Sequence, residues 1–299
     1  MSAARKVVIV GARGQLGTDC YRVFRAHYAV AGFDLPELDV QAVDTVRSIF
    51  QSIRPDVVVN CSAFTQVDLC ETERKAAFNV NVAGVHNLAA CAQEHGCFLV
   101  HISTDYVFDG ELEPGKAYEE EDQPGPATYY GLTKLQGEQA IRGSSDNYAI
   151  LRTAWLYGAN GKNFLKTILK RAIREPGTPL RVVNDQRGSP TWSYRLALQI
   201  VKVINEQSQG VFHATSHGST SWYDFARAFL ERMDIPHCVL PCSTEEYPTP
   251  AKRPRNSVLN NTRLRAAGID LMRHWEEDLA EFAGRYRDRL LQEARLSHD

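Results

Sequence analysis

Two adjacent tyrosines and a lysine occur in the segment TYYGLTK, residues 128–134. Residues four apart share one face of a helix, which pairs Tyr130 with Lys134 and Tyr129 with Thr133. A phenol titrates at about pH 10 when unperturbed, and a nearby positive charge stabilises its phenolate. Since only Tyr130 has a cation at this spacing, we expect it to exchange a proton, with Lys134 lowering its pKa. An amphipathic surface helix would give the same spacing, so the pair needs support from the rest of the chain.

The composition bounds the class of protein. The 299 residues are 43% hydrophobic and 23% charged, which is ordinary for a globular protein with a sizeable core. A net charge of -2 argues against nucleic acid as an electrostatic partner. No apolar run is long enough to span a membrane, and the first apolar run turns directly into glycines rather than into a signal-peptide cleavage region. We expect a soluble, cytoplasmic protein that does not bind membranes.

Seven cysteines are scattered along the chain, and none of them forms a C-x-x-C pair. Such cysteines are typical of small buried side chains in a reducing compartment. Cys238 and Cys242 lie close to His237, but no second ligand pair accompanies them. The residues therefore predict no metal site.

The first 155 residues alternate between apolar strand-like runs and amphipathic helical periods. This alternation predicts right-handed βαβ units, and hence an α/β fold with a doubly wound parallel sheet of the Rossmann type. We expect a dinucleotide-binding domain over 1–155 and a smaller C-terminal substrate-binding domain over 156–299, with 190–214 returning to the first domain. The predicted strands of the first domain are the runs at 6–10, 29–33, 56–60, 97–103 and 147–152.

A glycine turn, GARGQLG, places Gly11, Gly14 and Gly17 between the first predicted strand and a helix. Glycines allow a positive φ and let a diphosphate approach the backbone, while the helix N-terminus attracts its charge. The spacing is G-x-x-G-x-x-G rather than the commoner G-x-G-x-x-G. Its position opening a βαβ unit predicts a dinucleotide site.

Two residues point to different cofactors, one without and one with a 2′-phosphate on the adenosine ribose. Asp34, at the end of the second predicted strand, would accept hydrogen bonds from the adenosine ribose and favours NADH. Arg13, inside the glycine loop, could pair with a 2′-phosphate and favours NADPH. Both cofactors therefore stay open. Asp39, before the second helix, would lie near the adenine or would serve as a helix N-terminal aspartate.

Ligands of a doubly wound sheet bind outside the carboxyl ends of its strands. The third strand ends in the small residues Ser62 and Ala63, which would let a cofactor lie close. The fourth strand ends in Ser103, Thr104 and Asp105. A hydroxyl there could hold a substrate carbonyl against a nicotinamide.

Together, the glycine turn, STDYVFDG, YGLTK and RTAWLYG resemble the extended short-chain dehydrogenase/reductases. More closely, VNDQRGSPTW, TSWYDFARA and YPTPAKRPRNSVLNNTRL are similar to the dTDP-4-dehydrorhamnose reductase family, and the resemblance runs from about residue 6 to 280. It implies NADPH- or NADH-dependent reduction of the C4 keto group of dTDP-4-dehydrorhamnose to dTDP-L-rhamnose, in nucleotide-sugar and polysaccharide biosynthesis.

The resemblance also implies the roles of individual residues. Thr104, Tyr130 and Lys134 would be catalytic, with Thr104 orienting the carbonyl oxygen. Substrate contacts would come from Thr104, Asp105 and Trp155, and diphosphate charge from Arg187 and Arg253, with Lys252 and Arg255 beside them unless these form an ordinary solvated surface. The residues expected to line the cofactor are Gly11, Gly14, Gln15, Leu16, Gly17, Asp34, Asp39, Val40, Ser62, Ala63, Phe64, Thr65, Tyr130 and Lys134.

Some expectations are left open at this point. Family members commonly carry NAAAYT where this chain has NCSAFT, so Phe64 lacks a hydroxyl. Some relatives bind Mg²⁺ through acidic side chains at a dimer contact, and Asp19 falls near one such position; a homodimer and Mg²⁺ thus rest on resemblance alone. The alternatives are reduction of another nucleotide-linked 4-keto-6-deoxyhexose, or a non-catalytic regulatory subunit like that of methionine adenosyltransferase.

Overall fold

The structure, a computed structural model, describes residues 4–296. At its centre a six-stranded sheet has the strand order β10-β5-β4-β3-β1-β2, with every pair parallel. These strands are β1 (Lys6–Val10), β2 (Ala29–Phe33), β3 (Val57–Asn60), β4 (Phe98–Thr104), β5 (Tyr148–Thr153) and β10 (Gly210–His213). The strands that the sequence predicts are therefore found, and the doubly wound parallel sheet is confirmed.

Helices cover both faces of this sheet. One face packs on α1 (Gln15–Phe24) and α8 (Ser193–Glu206). The other packs on α2 (Val43–Ile53), α5 (Val85–His95) and α6 (Tyr129–Ser144). Because β1, β3 and β4 are apolar on both faces, they suit a strand that is buried between two helical layers.

A second apolar core lies in the C-terminal half. It is built mainly by α7 (Phe164–Arg174), α9 (Trp222–Arg232) and α11 (Trp275–Leu296), with β7 (Leu180–Val183) paired to β12 (Val239–Cys242). Strand β10 nevertheless pairs with β5 in the central sheet. The division of the chain into two domains at residue 155 stays a prediction.

Short elements complete the described part of the chain. The helical ones are α3 (Val67–Thr72), α4 (Arg74–Phe78), a π-helical segment (Asn79–Gly84), a 3₁₀ turn (Asp105–Val107) and α10 (Thr262–Ala266). The strands are β6 (Leu156–Tyr157), β8 (Arg187–Gly188), β9 (Thr191–Trp192) and β11 (Thr220–Ser221). Within residues 4–296, no helix has the length and apolar character needed to cross a bilayer.

The start of α6 is fixed by two local features. The hydroxyl of Thr128 accepts a hydrogen bond from the backbone N–H of Gly131 at 3.0 Å and so caps the helix. Gly131 also lies so close to the 3₁₀ turn that a Cβ there would be 2.0 Å from the carbonyl oxygen of Tyr106. The first turn of α6 is therefore held directly against the end of β4.

We predict that Gly131→Ala destabilises the protein by about 1–3 kcal/mol, because the added methyl must displace the backbone of Tyr106. Urea unfolding of the purified variant measures this change. The matched control is Gly143→Ala in the same helix, where an added Cβ meets nothing within 4 Å. That control should gain roughly 0.5–1 kcal/mol from helix propensity; equal effects of the two substitutions would contradict the close approach.

Candidate active site

Tyr130 and Lys134 lie on the face of α6 that packs toward the end of β4. Tyr130 is 9% exposed and Lys134 only 2% exposed. The ring of Tyr130 packs edge-on against that of Tyr106, with centroids 5.5 Å apart. Tyr129 points elsewhere: its ring is half-buried under the guanidinium of Arg74, 4.9 Å from the centroid. Of the two adjacent tyrosines, Tyr130 is thus the one that shares a buried face with Lys134.

The amino group of Lys134 is held by β4. Its Nζ donates to the carbonyl oxygen of Ile102 at 2.7 Å and lies 3.2 Å from Nε2 of His101. Burial lowers the pKa of Lys134 to about 8, although Glu138 acts in the opposite direction. A lysine with a pKa in this range can change its charge close to neutral pH.

The pKa of Tyr130 differs from the expectation. Burial raises it above its ordinary value, and a hydrogen bond with Thr104 only partly offsets the rise. Lys134 is not among the groups that shift it; the amino group is instead turned to Ile102 and His101. The expected lowering of the phenol pKa by Lys134 is therefore wrong for the protein on its own, in which Tyr130 is protonated.

Thr104 and Asp105 stand beside Tyr130 at the end of β4. The Thr104 hydroxyl donates to Oδ1 of Asp105 at 2.9 Å, and both side chains are buried. Burial raises the pKa of Asp105 to about 6, although the nearby hydroxyls of Ser257 and Thr104 act to lower it. Within residues 4–296, Oδ2 of Asp105 has no hydrogen-bond partner. A buried carboxyl oxygen without a partner next to two hydroxyls is a group that a ligand can satisfy.

The glycine turn has the shape that a dinucleotide requires. Gly11 has φ of +77°, and a Cβ there would lie 2.8 Å from the backbone nitrogen of Ser62. A Cβ on Gly17 would lie 2.1 Å from the carbonyl oxygen of Gly11. Helix α1 begins after Gly14, and no side chain in the described range caps it. Its first N–H groups, from Gln15 and Leu16 onward, are therefore available to an anion such as a diphosphate, and the turn fits the predicted cofactor.

The two residues that disagreed about the cofactor phosphate lie side by side. Asp34 accepts from the backbone N–H groups of Arg13 and Leu35, each at 3.0 Å. The Arg13 guanidinium is exposed and donates to the Leu35 carbonyl at 2.9 Å and to Glu37 at 2.6 Å. Asp34 thus shapes the turn, while Arg13 stays at the rim, and both NADH and NADPH remain compatible with the site.

Other predicted cofactor residues lie around this turn. Asp39 accepts from the backbone N–H of Gln41 at 2.9 Å just before α2, and Val40 is buried against Gly84. Gln15 donates to the carbonyl oxygen of Leu156 at 3.0 Å, which ties α1 to β6. Their contacts with a cofactor stay predictions.

The loop Ser62–Thr65 follows β3 and is held by a residue that the sequence did not single out. Asn81, fully buried, accepts from the N–H of Phe64 at 2.8 Å and donates to its carbonyl oxygen at 3.1 Å. The same Asn81 amide donates to the hydroxyl of Thr133 on α6 at 3.1 Å. Asn81 therefore joins the loop of Ser62, Ala63, Phe64 and Thr65 to the helix of Tyr130.

A buried ion pair joins α6 to β5. Arg152 on β5 donates to both carboxylate oxygens of Glu138, at 3.0 and 2.7 Å, and the Ser103 hydroxyl donates to the same carboxylate at 2.5 Å. Sequence reasoning missed Asn60, Asn81, His101, Glu138 and Arg152. The available signal was a polar residue inside an apolar run, as in VVVN and FLVHIS.

The predicted substrate residues approach from the C-terminal half. Trp155 has φ of +46° and stacks on Trp222, with ring centroids 3.6 Å apart and planes 7° from parallel. A Cβ on Gly188 would lie 2.3 Å from the Trp155 indole, so β8 supports this ring. The Trp155 residue is partly exposed.

Three of the predicted cations near the site are paired with carboxylates. Arg253 donates to Asp68 on α3 at 2.7 Å. Burial acts to raise the pKa of Asp68, but this hydrogen bond and one from a backbone N–H outweigh it, so the pKa is lowered. Arg187 lies 3.8 Å from Asp224, and Lys252 lies 2.5 Å from Glu111. An anionic ligand at these cations must therefore compete with carboxylates.

Asp19 is buried rather than presented to a metal ion. Ser193 donates to its Oδ2 at 2.5 Å and Arg22 lies 3.2 Å from its Oδ1. No group of three or more metal-ligating side chains occurs within the range that the structure describes. Asp19 is thus engaged in packing α1 against α8, and the structure adds nothing to the Mg²⁺ expectation.

Comparison with known proteins gives the family. A family model described as RmlD substrate binding domain matches residues 5–288. The chain belongs to this family. The spore coat polysaccharide biosynthesis protein SpsK of Bacillus subtilis is 40% identical, over 93% of this chain and 96% of that protein. The recognised resemblance to the family is thereby confirmed.

Solved structures agree. A dTDP-4-dehydrorhamnose reductase from Clostridium acetobutylicum is 42% identical, covering 94% of this chain and 99% of its own, with a TM-score of 0.91. The dTDP-4-dehydrorhamnose reductase of Bacillus anthracis, solved in complex with NADP, is 37% identical with the same coverage and TM-score. The fold of this family is therefore present over nearly the whole chain.

We predict that Asp105 makes folding less favourable as the pH rises. With a folded pKa of about 6 against an ordinary value of 3.8, the folded state binds the proton more tightly, so this contribution to stability is complete below about pH 4 and is lost as pH rises through 6. The loss amounts to about 3 kcal/mol. Urea unfolding of wild type and Asp105→Asn at pH 4.5 and 7.5 should show the variant gaining relative stability at the higher pH. A pH-independent difference between them would contradict the raised pKa.

Proposed function

We propose that this protein catalyses the NAD(P)H-dependent reduction of the C4 keto group of dTDP-4-dehydro-6-deoxy-L-mannose (dTDP-4-dehydrorhamnose) to dTDP-L-rhamnose, in nucleotide-sugar and cell-surface polysaccharide biosynthesis. The observation that carries the proposal is the buried set of Thr104, Tyr130 and Lys134 at the end of β4. Family membership over residues 5–288 and the names of the related reductases support the substrate.

The proton comes from Tyr130. Reduced NAD(P)H, when bound, supplies a hydride to the carbonyl carbon. The carbonyl oxygen then becomes an alkoxide that needs a proton, and the buried, protonated phenol of Tyr130 is the acid that supplies it. Thr104, already within hydrogen-bond reach of Tyr130, orients the oxygen that receives the proton.

Lys134 compensates the phenolate. Its Nζ reaches the end of β4 with a pKa of about 8 and can be protonated near neutral pH. A cation there favours the phenolate that Tyr130 becomes after proton transfer. The remaining N–H groups of this amino group would donate hydrogen bonds to the hydroxyls of a bound nicotinamide ribose.

The rest of the substrate meets the C-terminal half. Trp155 offers its stacked indole to the sugar, and Asp105 offers its unpartnered oxygen to a sugar hydroxyl. Arg187 and Arg253 supply positive charge for the diphosphate, exchanging their present carboxylates for it.

The place of the reaction and the assembly belong to the same proposal. All seven cysteines are unpaired thiols, which supports a reducing compartment, and we place the enzyme in the cytoplasm. The functional unit is proposed to be a homodimer on family resemblance.

We predict that Tyr130→Phe loses about 10²- to 10⁴-fold in turnover, because the acid is removed while the aromatic packing on Tyr106 stays. NADPH binding, followed by nicotinamide fluorescence, should be retained and weakened only by the loss of one hydrogen bond. Tyr129→Phe is the matched control and should turn over at nearly the wild-type rate, since its ring faces Arg74. Near-normal turnover by Tyr130→Phe would remove Tyr130 from the chemistry.

The substrate is tested by incubating the protein with NADH and with NADPH, together with the equilibrating mixture of dTDP-4-keto-6-deoxyhexoses. The proposal expects oxidation of the cofactor and dTDP-L-rhamnose as the product. If the product is a different 6-deoxyhexose, the proposed substrate is wrong and the protein is the reductase of another nucleotide-linked 4-keto-6-deoxyhexose. No oxidation of either cofactor, together with co-purification of a partner enzyme, would favour the regulatory subunit.

A further inference from the structure

A buried chain of polar side chains crosses the sheet behind the proposed acid. It runs from Ser62 after β3 through Asn60 and His101, on neighbouring strands, to Lys134 on α6. Asn60, His101 and Lys134 are 1%, 0% and 2% exposed. Water therefore does not compete for these groups, and each hydrogen must be accounted for within the chain.

The orientation of Asn60 is fixed from one end. The backbone N–H of Ser62 lies 3.0 Å from Oδ1 of Asn60, and a backbone N–H can only donate. The hydroxyl of Ser62 lies 2.6 Å from the same oxygen. The amide nitrogen of Asn60, which can only donate, therefore faces Nδ1 of His101 at 3.1 Å.

The tautomer of His101 follows. Because Nδ1 accepts from Asn60, it carries no hydrogen. Burial holds the pKa of His101 well below its ordinary value, so the ring is neutral and its single hydrogen lies on Nε2. That N–H points at Nζ of Lys134, 3.2 Å away.

An ammonium group cannot receive this hydrogen, because it has three donors and no acceptor. A neutral amine can. Its lone pair accepts from Nε2–H of His101, one of its N–H bonds donates to the Ile102 carbonyl at 2.7 Å, and the other remains for a ligand.

The charges that face Lys134 from the elements around it agree with a neutral amine. On its own helix, Glu138 is already paired with two guanidinium nitrogens of Arg152 from β5. Glu138 and Cys61, after β3, both act to raise the pKa of Lys134, but burial outweighs them, and the neighbouring Tyr130 is protonated. An ammonium at Nζ would thus be a buried charge without a counter-ion of its own, which is costly.

We propose that Asn60 and His101 are positioning residues that favour the neutral amine of Lys134 over its ammonium in the cofactor-free protein. The assignment of Lys134 to catalysis rests on the proposed function, but its protonation state does not. In molecules that carry the neutral amine, the positive charge that the Tyr130 phenolate needs is absent. It arises when Lys134 takes up a proton from solution and gives up its bond from His101.

The chain also couples that proton to the loop of Ser62. For His101 to accept from an ammonium through Nε2, its hydrogen must move to Nδ1, and the Asn60 amide must then turn its oxygen toward the ring. This rotation would break both hydrogen bonds that Ser62 makes with Asn60. A ligand that moves the Ser62 loop can therefore change the charge of Lys134.

The test is the nitrogen NMR spectrum of the cofactor-free protein labelled with ¹⁵N-histidine, at pH 9, above the pKa of Lys134 of about 8, with the His101 signals assigned by their absence from His101→Gln. We expect Nε2 to carry the hydrogen and Nδ1 to carry none. A hydrogen on Nδ1, or on both nitrogens, overturns the proposal. This readout does not depend on activity, so it decides the proposal even if no keto-sugar is reduced.

Two variants sharpen the test. Asn60→Asp replaces the donor with an acceptor while keeping an oxygen for Ser62, so the hydrogen on His101 should move to Nδ1. Lys134 should then become an ammonium, and its ionisation in the pH profile of kcat/KM should rise by about one pH unit or more. The matched control, Ser62→Ala, keeps the backbone donor to Asn60 and should leave the hydrogen on Nε2.

An unchanged tautomer in Asn60→Asp, or a switched one in Ser62→Ala, contradicts the proposed chain. If Asn60→Asp does not fold, the wild-type spectrum alone decides.

Discussion

The burial of one lysine between a helix and a strand is the constraint on which this site depends. Lys134 is almost fully covered, and its amino group is bonded to the backbone of β4 at Ile102. The buried amino group can reach this carbonyl only if α6 keeps one fixed position along the axis of β4. The same position places Tyr130, one turn earlier in α6, at the end of β4 beside Thr104.

Several other contacts fix α6 at that position along β4. Gly131 allows the helix to touch the backbone of Tyr106, and Asn81 ties α6 to the loop after β3. Below Lys134, the pair of Glu138 with Arg152 joins the helix to β5. Separating a buried ion pair of this kind costs about 3–5 kcal/mol because each charge is left uncompensated, so a shift of α6 that parts Glu138 from Arg152 is strongly disfavoured. The chemistry of the site is thus positioned by contacts on three neighbouring elements.

Much of this could be predicted from the sequence, since it depends on local periodicity. Apolar runs predicted the strands, and the four-residue spacing predicted that Tyr130 and Lys134 share a face, because strand burial and helix geometry are properties of short segments. The polar contacts of Asn60, Asn81 and His101 could not be predicted in this way. Apart from the contact of Asn60 with Ser62, each partner lies at least 17 residues away along the chain, and a single polar residue in an apolar run does not reveal which strand will lie beside it.

The expected effect of Lys134 on Tyr130 was wrong for a related reason. Helical spacing indicates which residues share a face but not where a flexible amino group points, and in this fold His101 and Ile102 compete for it. The sequence also contained both Arg13 and Asp34 without indicating that Asp34 bonds the backbone of the turn. Tertiary contacts decided both questions.

The most direct test of the account is the crystal structure of the complex with NADPH, in which one measures the distances from Nζ of Lys134 and from the hydroxyl of Tyr130 to the hydroxyls of the nicotinamide ribose. The account predicts hydrogen-bond distances of about 2.6–3.2 Å for both groups, with the diphosphate at the N-terminus of α1. A complex in which Lys134 still contacts only Ile102 and His101, with the nicotinamide away from Tyr130, would contradict it.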